Sequence, residues 1–166
     1  MKNVVVATGS DVSDETWWGE SFDAGGGLAL GLTPPKLGVN VKYRFKTKPF
    51  RHQVKALRRG MKQDAIGVLW EPGTGKSKFI VDWACILHLK RGLKRVLIVC
   101  PLSVMGVWED EFNKHSPIPY HIQFLARNTS AIERVDGLNV VVVNYDLAWR
   151  RKDLLYRYDP QLVVAD

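Results

Sequence analysis

One segment, residues 66–77, constrains the fold of this chain more than any other part of its sequence. A short apolar run at 66–69 has the composition of a buried strand. A loop with two glycines follows, and Gly92 then supplies a stop for a predicted helix. The apolar residues of that helix recur at helical spacing: Phe79, Ile80, Trp83, Ala84 and Leu87. A strand, a glycine-containing loop and a helix in this order predict a phosphate-binding loop in an α/β domain.

The loop contains the residue types that bind phosphate, namely Pro72, Gly73, Thr74, Gly75, Lys76 and Ser77. Its glycines allow backbone N–H groups to turn inward, and the positive end of the helix then faces the phosphates. Lys76 is placed to reach the β- and γ-phosphates, and the Ser77 hydroxyl to bind Mg²⁺. Trp70 stands where the strict pattern has its first glycine, so an ordinary turn before a helix is the alternative. The flanking strand and helix favour nucleotide binding.

The length and composition are those of one α/β domain. The chain has 166 residues, of which 46% are hydrophobic, and this content argues against disorder. No apolar stretch approaches the roughly 20 residues that span a bilayer, so we expect no membrane partner. Cys85 and Cys100 fall in a predicted helix and strand, where reduced core thiols are expected rather than a disulfide or metal site. We therefore expect a cytoplasmic protein, with association with a nucleoid or nucleus left open.

Charge is distributed unevenly along the chain. Residues 1–40 hold two basic and five acidic residues. The whole chain carries a net charge of +7, so residues 41–166 carry +10. Between positions 41 and 62 there are nine basic residues and no acidic one. This cluster favours a polyanionic partner, nucleic acid first, and a solvated helix face is the alternative.

Hydrophobic periodicity predicts alternating strands and helices beyond residue 40. Further strands are expected at 42–45, 95–100, 120–125, 140–144 and 162–165. Further helices are expected from Arg51, at 104–112, and from Asp146 to about residue 155. Nearly continuous valine, isoleucine and leucine in the strands predict a parallel sheet covered by helices on both faces. Residues 1–40 are expected to form an accessory arm, and residues 41–166 the main domain.

Several motifs accompany the loop in a defined order. They are Phe50 and Gln53 at the start of a basic helix, Pro101 to Ser103 after one strand, Asn144 and Tyr145 after another, and Asp166 after the last. In this order they resemble the first RecA-like lobe of superfamily 2 (DEAD/DEAH-like) helicases and translocases, the Swi/Snf-type enzymes most closely. The resemblance covers about residues 42–166 and implies the fold of a RecA-like P-loop NTPase.

The resemblance also implies roles for these residues. Gln53 would recognise the edge of the adenine base, with Phe50 close to that base. Residues 71–77 would form the ATP-binding loop, which in this family does not require the first glycine. Asp166 would hold Mg²⁺ together with Ser77, and Lys76 and Asp166 would act in catalysis. The groove for nucleic acid would be lined by Ser103, Asn144 and Tyr145.

The implied function is ATP hydrolysis coupled to movement along nucleic acid, by a helicase or a double-stranded DNA translocase. ATP and Mg²⁺ are the expected cofactors, and DNA is favoured over RNA as partner. Arg51 stands where many relatives have proline. The chain stops at Asp166, before the family's glutamate and second RecA-like lobe. We therefore expect an N-terminal fragment that binds ATP weakly, hydrolyses almost none, and lacks its partner lobe.

Two other functions are compatible with a phosphate loop. One is a nucleotide or metabolite kinase, and the other is a non-catalytic nucleic-acid-binding module. A kinase would leave the Gln53 motif, the motif at 101–103 and the basic charge unexplained. Phosphate release stimulated by nucleic acid, measured on the full-length protein, separates the three functions.

Overall fold

The computed structural model describes residues 3–6 and 43–166, and within them six strands form one sheet. The strands are β1 (Asn3–Val6), β2 (Ala65–Gly67), β3 (Arg95–Cys100), β4 (Tyr120–Phe124), β5 (Leu138–Asn144) and β6 (Leu162–Ala165). Their order is β2-β1-β6-β3-β5-β4, and every neighbouring pair is parallel. The predicted parallel sheet is therefore confirmed.

Helices cover both faces of this sheet, as predicted. They are α1 (Arg51–Gly60), α2 (Lys76–Arg91), α3 (Val107–His115), α4 (Tyr145–Arg150) and α5 (Lys152–Tyr158), with a 3₁₀ turn at Leu102–Val104. Residues of α1, α2 and α3 share one apolar core with the sheet, and residues of α4 and α5 share the other. Along β3 the side chains alternate between the cores, with Val96 and Ile98 in the first and Leu97 in the second.

Helix α2 is the central element of the first core. Its residues 78–87 are all buried, so it has no solvent-facing stripe over that stretch. Gly92 ends the helix in the left-handed conformation, with φ of 68°, as predicted from the sequence. Across the residues that the structure describes, no helix combines the length and apolar character needed to cross a bilayer.

The predicted strand at 42–45 is wrong for its described part, because residues 43–45 pair with no strand. The alternation of basic and aromatic residues has a different cause. The rings of Tyr43 and Phe45 pack on each other instead, with their centroids 4.9 Å apart, edge to face. Tyr43 then packs against the core around α2 instead of joining the sheet.

The helix predicted from Asp146 to about residue 155 is wrong as a single element, because it is divided into α4 and α5 at Arg151. The Arg151 backbone leaves the helical region, with φ of −112° and ψ of 24°. Its guanidinium donates to the backbone carbonyls of Arg127 and Thr129 in the loop after β4. These contacts join distant parts of the chain, so local periodicity does not reveal the break.

The predicted boundary between an accessory arm and the main domain, at residue 40, lies outside the described residues. Within the arm, the described strand β1 pairs through its backbone with β2 on one side and β6 on the other. The division itself stays a prediction.

Gly60 gives a test of how tightly α1 packs against α2. A Cβ atom at this position would lie 2.9 Å from Cε2 of Trp83, a ring that is fully buried. Alanine normally stabilises a helix over glycine by about 0.5–1 kcal/mol, whereas overpacking costs about 1–3 kcal/mol. We therefore expect Gly60→Ala to lower the free energy of unfolding, measured by urea denaturation.

Gly106→Ala is the matched control for this substitution. Nothing lies within 4 Å of a Cβ built on Gly106, and its φ is −64°. Gly106→Ala should leave the free energy of unfolding unchanged or raise it slightly. If both variants were equally stable, the close packing of Gly60 on Trp83 would be refuted.

Candidate functional site

The predicted phosphate loop lies between β2 and α2, at the carboxyl end of the sheet. Gly73 and Gly75 have φ of 80° and 84°, a backbone region that other residues rarely adopt. The Lys76 ammonium donates to the carbonyl oxygens of Trp70 at 2.8 Å and Glu71 at 3.1 Å. The lysine ammonium thus lies against the loop backbone, and its two partners are uncharged carbonyl oxygens.

Gln53 joins α1 to this loop. Its side chain is fully buried, with 0% of its surface exposed. The amide oxygen accepts from Phe50 N at 2.8 Å, and the amide nitrogen donates to Gly75 O at 2.9 Å. Both ends of the amide therefore bind backbone groups, and adenine could reach the buried side chain only if the groups that cover it moved. The adenine role of Gln53 stays a prediction.

A row of aromatic rings lies beside the loop. Phe50, which is 61% exposed, stacks on His52 with centroids 5.6 Å apart. His52 in turn meets the edge of Trp70 at 4.6 Å, and one of its ring nitrogens lies 3.0 Å from Thr74 O. Sequence reasoning missed His52 and the packing of Trp70. The concentration of rings at positions 50, 52 and 70 was the only signal.

Trp70, which replaces the first glycine of the strict loop pattern, has a place in the core. Its ring packs against Phe79 of α2 at 5.5 Å, and Phe79 stacks on Trp83 at 5.7 Å. The Trp70 side chain is thus held by apolar partners, and its carbonyl oxygen receives the Lys76 ammonium. The Trp70 ring therefore packs away from the Lys76 ammonium.

Asp166 lies at the same end of the sheet as the loop. Its backbone N–H donates to Val99 O at 2.9 Å, which continues the pairing of β6 with β3. The Tyr145 hydroxyl donates to the Asp166 carbonyl oxygen at 2.7 Å. Burial raises the pKa of the Asp166 carboxyl, and the positive charge of Lys76 opposes that rise. The two predicted catalytic residues thus interact electrostatically.

The three predicted groove residues also lie at the carboxyl end of the sheet, because β3 and β5 are neighbours with Cys100 opposite Asn144. Ser103 is exposed on the 3₁₀ turn after β3. Asn144 caps α4, its side-chain oxygen accepting from Leu147 N at 2.9 Å. Tyr145 is 50% exposed. The structure therefore brings the three together, and nucleic-acid binding by them stays a prediction.

The basic cluster of α1 lies elsewhere. Helix α1 packs on α2 and β2, and β2 is at one end of the strand order. Its apolar side is buried at Leu57, and its basic residues Lys55 and Arg59 are exposed, with Arg58 partly exposed. The groove residues follow β3 and β5, three and four places along the sheet from β2. The basic cluster and the groove residues therefore occupy separate regions.

The contact between Gln53 and the loop predicts different effects at the two loop glycines. At both positions φ is positive, so any residue with a Cβ atom would be destabilised there by about 1–2 kcal/mol. A Cβ on Gly75 would in addition lie 2.3 Å from Gln53 Nε2, whereas nothing lies within 4 Å of a Cβ on Gly73. Gly75→Ala should therefore reduce the free energy of unfolding more than Gly73→Ala does, by about 1–3 kcal/mol for a displaced buried amide.

Repeating both substitutions in a Gln53→Ala background supplies the control. Without the Gln53 side chain the extra cost at Gly75 should disappear, and the two glycine variants should become equally stable. An extra cost that persists in that background would show that Gln53 is not its source.

Comparison with solved structures supports the fold. The chain is similar to a structure described as the Sulfolobus solfataricus SWI2/SNF2 ATPase core in complex with dsDNA, with a TM-score of 0.57 and 18% sequence identity. The alignment covers 74% of this chain and 32% of the other, so this chain spans about a third of that ATPase core. No family model matches the chain, and no curated protein matches it. At this identity the likeness confirms the predicted RecA-like α/β fold.

Proposed function

We propose that this chain is the ATP-binding lobe of a helicase or double-stranded DNA translocase, in which ATP hydrolysis is coupled to movement along nucleic acid. The observation that carries the proposal is the loop geometry, with Lys76 spanning a glycine loop at the start of α2. The same fold occurs in a SWI2/SNF2 ATPase core that was solved with duplex DNA.

The nucleotide would bind through backbone and cationic groups. Its phosphates would replace the carbonyls of Trp70 and Glu71 as partners of the Lys76 ammonium. The N-terminus of α2 would add its positive dipole end. Such fixed dipoles and charges stabilise phosphoryl transfer without moving during the reaction.

We propose that Mg²⁺ binds together with the nucleotide. Among the described residues, no group of three His, Cys, Asp or Glu side chains could hold a metal ion. Mg²⁺ commonly binds through one or two protein oxygens, with water and substrate phosphate completing its shell. The Ser77 hydroxyl and the Asp166 carboxylate would supply those protein oxygens. The ion would supply charge neutralisation of the phosphates.

Nucleic acid would bind at Ser103, Asn144 and Tyr145, on the edge of the sheet that also carries Asp166. The hydroxyl of Tyr145 donates to the Asp166 carbonyl, so a residue of the groove directly contacts the strand end that holds the magnesium ligand. We further propose that hydrolysis requires a second RecA-like lobe across the loop.

The first test concerns Lys76. Replacing it by alanine removes a charged partner of the phosphates, and such hydrogen bonds contribute on the order of 1.5–3 kcal/mol. Lys76→Ala should therefore weaken binding of a fluorescent ATP analogue by at least about tenfold.

Lys94→Ala is the matched control for that titration, because Lys94 precedes β3 at the opposite end of the sheet and pairs only at the surface with Asp136, at 3.3 Å. It should bind the analogue as the unaltered chain does. If the two variants bound equally well, Lys76 would not be a phosphate ligand.

The second test concerns the role of the basic cluster. Because α1 lies apart from the groove residues, we expect its cations to steer nucleic acid by long-range attraction rather than to touch phosphates. Replacing Lys55, Arg58, Arg59 and Lys62 together by glutamine should lower the association rate with duplex DNA. The slope of log affinity against log salt should stay the same, since each phosphate contact contributes roughly −0.9 to it.

A slope that became shallower by the amount expected for several phosphate contacts would contradict steering. It would show that the replaced residues contact the phosphates directly. An unaltered chain without salt-dependent binding to duplex or single strands would contradict the nucleic-acid part of the proposal and favour a kinase.

A further inference from the structure

The segment at residues 43–50, called the strap below, crosses α2 and α3 before it enters α1. Three polar contacts hold it. The Tyr43 hydroxyl donates to Asp82 Oδ1 at 2.6 Å, and the Lys46 ammonium donates to Asn113 O at 2.6 Å. Thr47 Oγ1 lies 2.5 Å from Nδ1 of His115. The strap is thus fixed to both helices, although no part of it is paired in the sheet.

Its first anchor is a buried charged cluster. Asp82 is 0% exposed and Lys78 is 6% exposed, and the Lys78 ammonium lies 2.6 Å from Asp82 Oδ2. Tyr43 and Lys78 therefore occupy one carboxylate oxygen each. The ammonium also lies 5.5 Å from the centroid of the Phe45 ring, which belongs to the strap.

A net gain in stability over an apolar cluster is not needed to explain these residues. A buried ion pair is often no more stable than apolar residues of the same volume, because desolvation offsets the attraction. Burial and the neighbouring carboxylate raise the pKa of Tyr43, so its hydroxyl keeps its proton and remains a donor. What the cluster supplies is a single defined position for the strap on α2.

The position of the strap on α2 matters because the start of α2 and the end of the strap both belong to the proposed nucleotide site. Helix α2 begins at Lys76, two residues before Lys78. The strap ends at Phe50, whose backbone N–H is bound by Gln53, and Gln53 in turn binds Gly75 O. The charged cluster therefore closes a ring of contacts that runs from the strap through α1 to the loop and back along α2.

We infer that Tyr43, Lys78 and Asp82 are positioning residues of the nucleotide site, which hold the strap so that Phe50 stands where it contacts the base of a purine nucleotide. This inference rests on the proposed ATP-binding function. Removing a contact within this cluster should weaken the binding of the base by Phe50. The binding of the phosphates by the loop should stay unchanged. The two parts of the ligand can be measured separately, since inorganic tripolyphosphate carries the phosphates without a base.

The experiment compares ATP and tripolyphosphate, both with Mg²⁺, binding to the unaltered chain and to Tyr43→Phe at constant pH. The substitution keeps the ring and removes only the donor to Asp82. If the strap were then correctly placed about one-fifth of the time, the apparent affinity for ATP would fall by up to about fivefold. The affinity for tripolyphosphate should not change.

Tyr158→Phe is the matched control, because it removes another buried tyrosine hydroxyl. Tyr158 donates to Asn139 O at 3.0 Å in the second core, on the other face of the sheet. Its loss should lower stability to a similar degree and change neither affinity. Thr47→Val removes the contact of the strap with His115 of α3. It should also lower the affinity for ATP and leave that for tripolyphosphate unchanged, and it replaces Tyr43→Phe if that variant does not fold.

Each remaining outcome overturns the inference in a distinguishable way. If Tyr43→Phe and Thr47→Val lowered the affinities for ATP and tripolyphosphate equally, the strap would not position the base. The same would follow if neither affinity changed. ATP and tripolyphosphate binding equally well to the unaltered chain would refute a base site and leave the phosphate loop in place. An unaltered chain that binds neither ligand would refute the proposed function together with the inference.

Discussion

The hydrogen bond from the buried Gln53 amide to Gly75 O is the contact on which the site depends. It is possible only because residue 75 has no Cβ, since that atom would lie 2.3 Å from the amide nitrogen. A buried amide without a partner costs about 1–3 kcal/mol, so the contact strongly disfavours separation of α1 from the loop. The loop conformation and the start of α1 are therefore set together.

Helix α2 transmits this constraint to the rest of the domain. It is buried along residues 78–87, and its aromatic residues Phe79 and Trp83 continue the row of rings that starts at Phe50. Closely packed interiors resist small displacements, so a shift at one ring has to be accommodated by the next. The site is thus built on the most deeply buried helix of the described chain.

The sequence predicted those features that local chemistry determines. The loop, α2 and its stop at Gly92 follow from residues close together in the chain, and runs of valine and isoleucine suffice to predict a parallel sheet. The strap and the division at Arg151 were not predicted, because each depends on a partner far away in sequence, namely Asp82 for Tyr43 and the loop after β4 for Arg151. Burial of Gln53 was equally hidden, since only tertiary packing covers a polar residue on a basic helix.

Trp70 shows why a departure from a sequence pattern can leave a site intact. A glycine is required where a Cβ would meet another atom or where φ is positive, as at Gly75. Among the described residues other than glycine, only Asp159 has a positive φ, so the Trp70 backbone adopts an ordinary conformation. Its ring contacts His52 and Phe79. The first glycine of the strict pattern is therefore dispensable here, because the backbone at this position needs no positive φ and the Trp70 ring packs on His52 and Phe79.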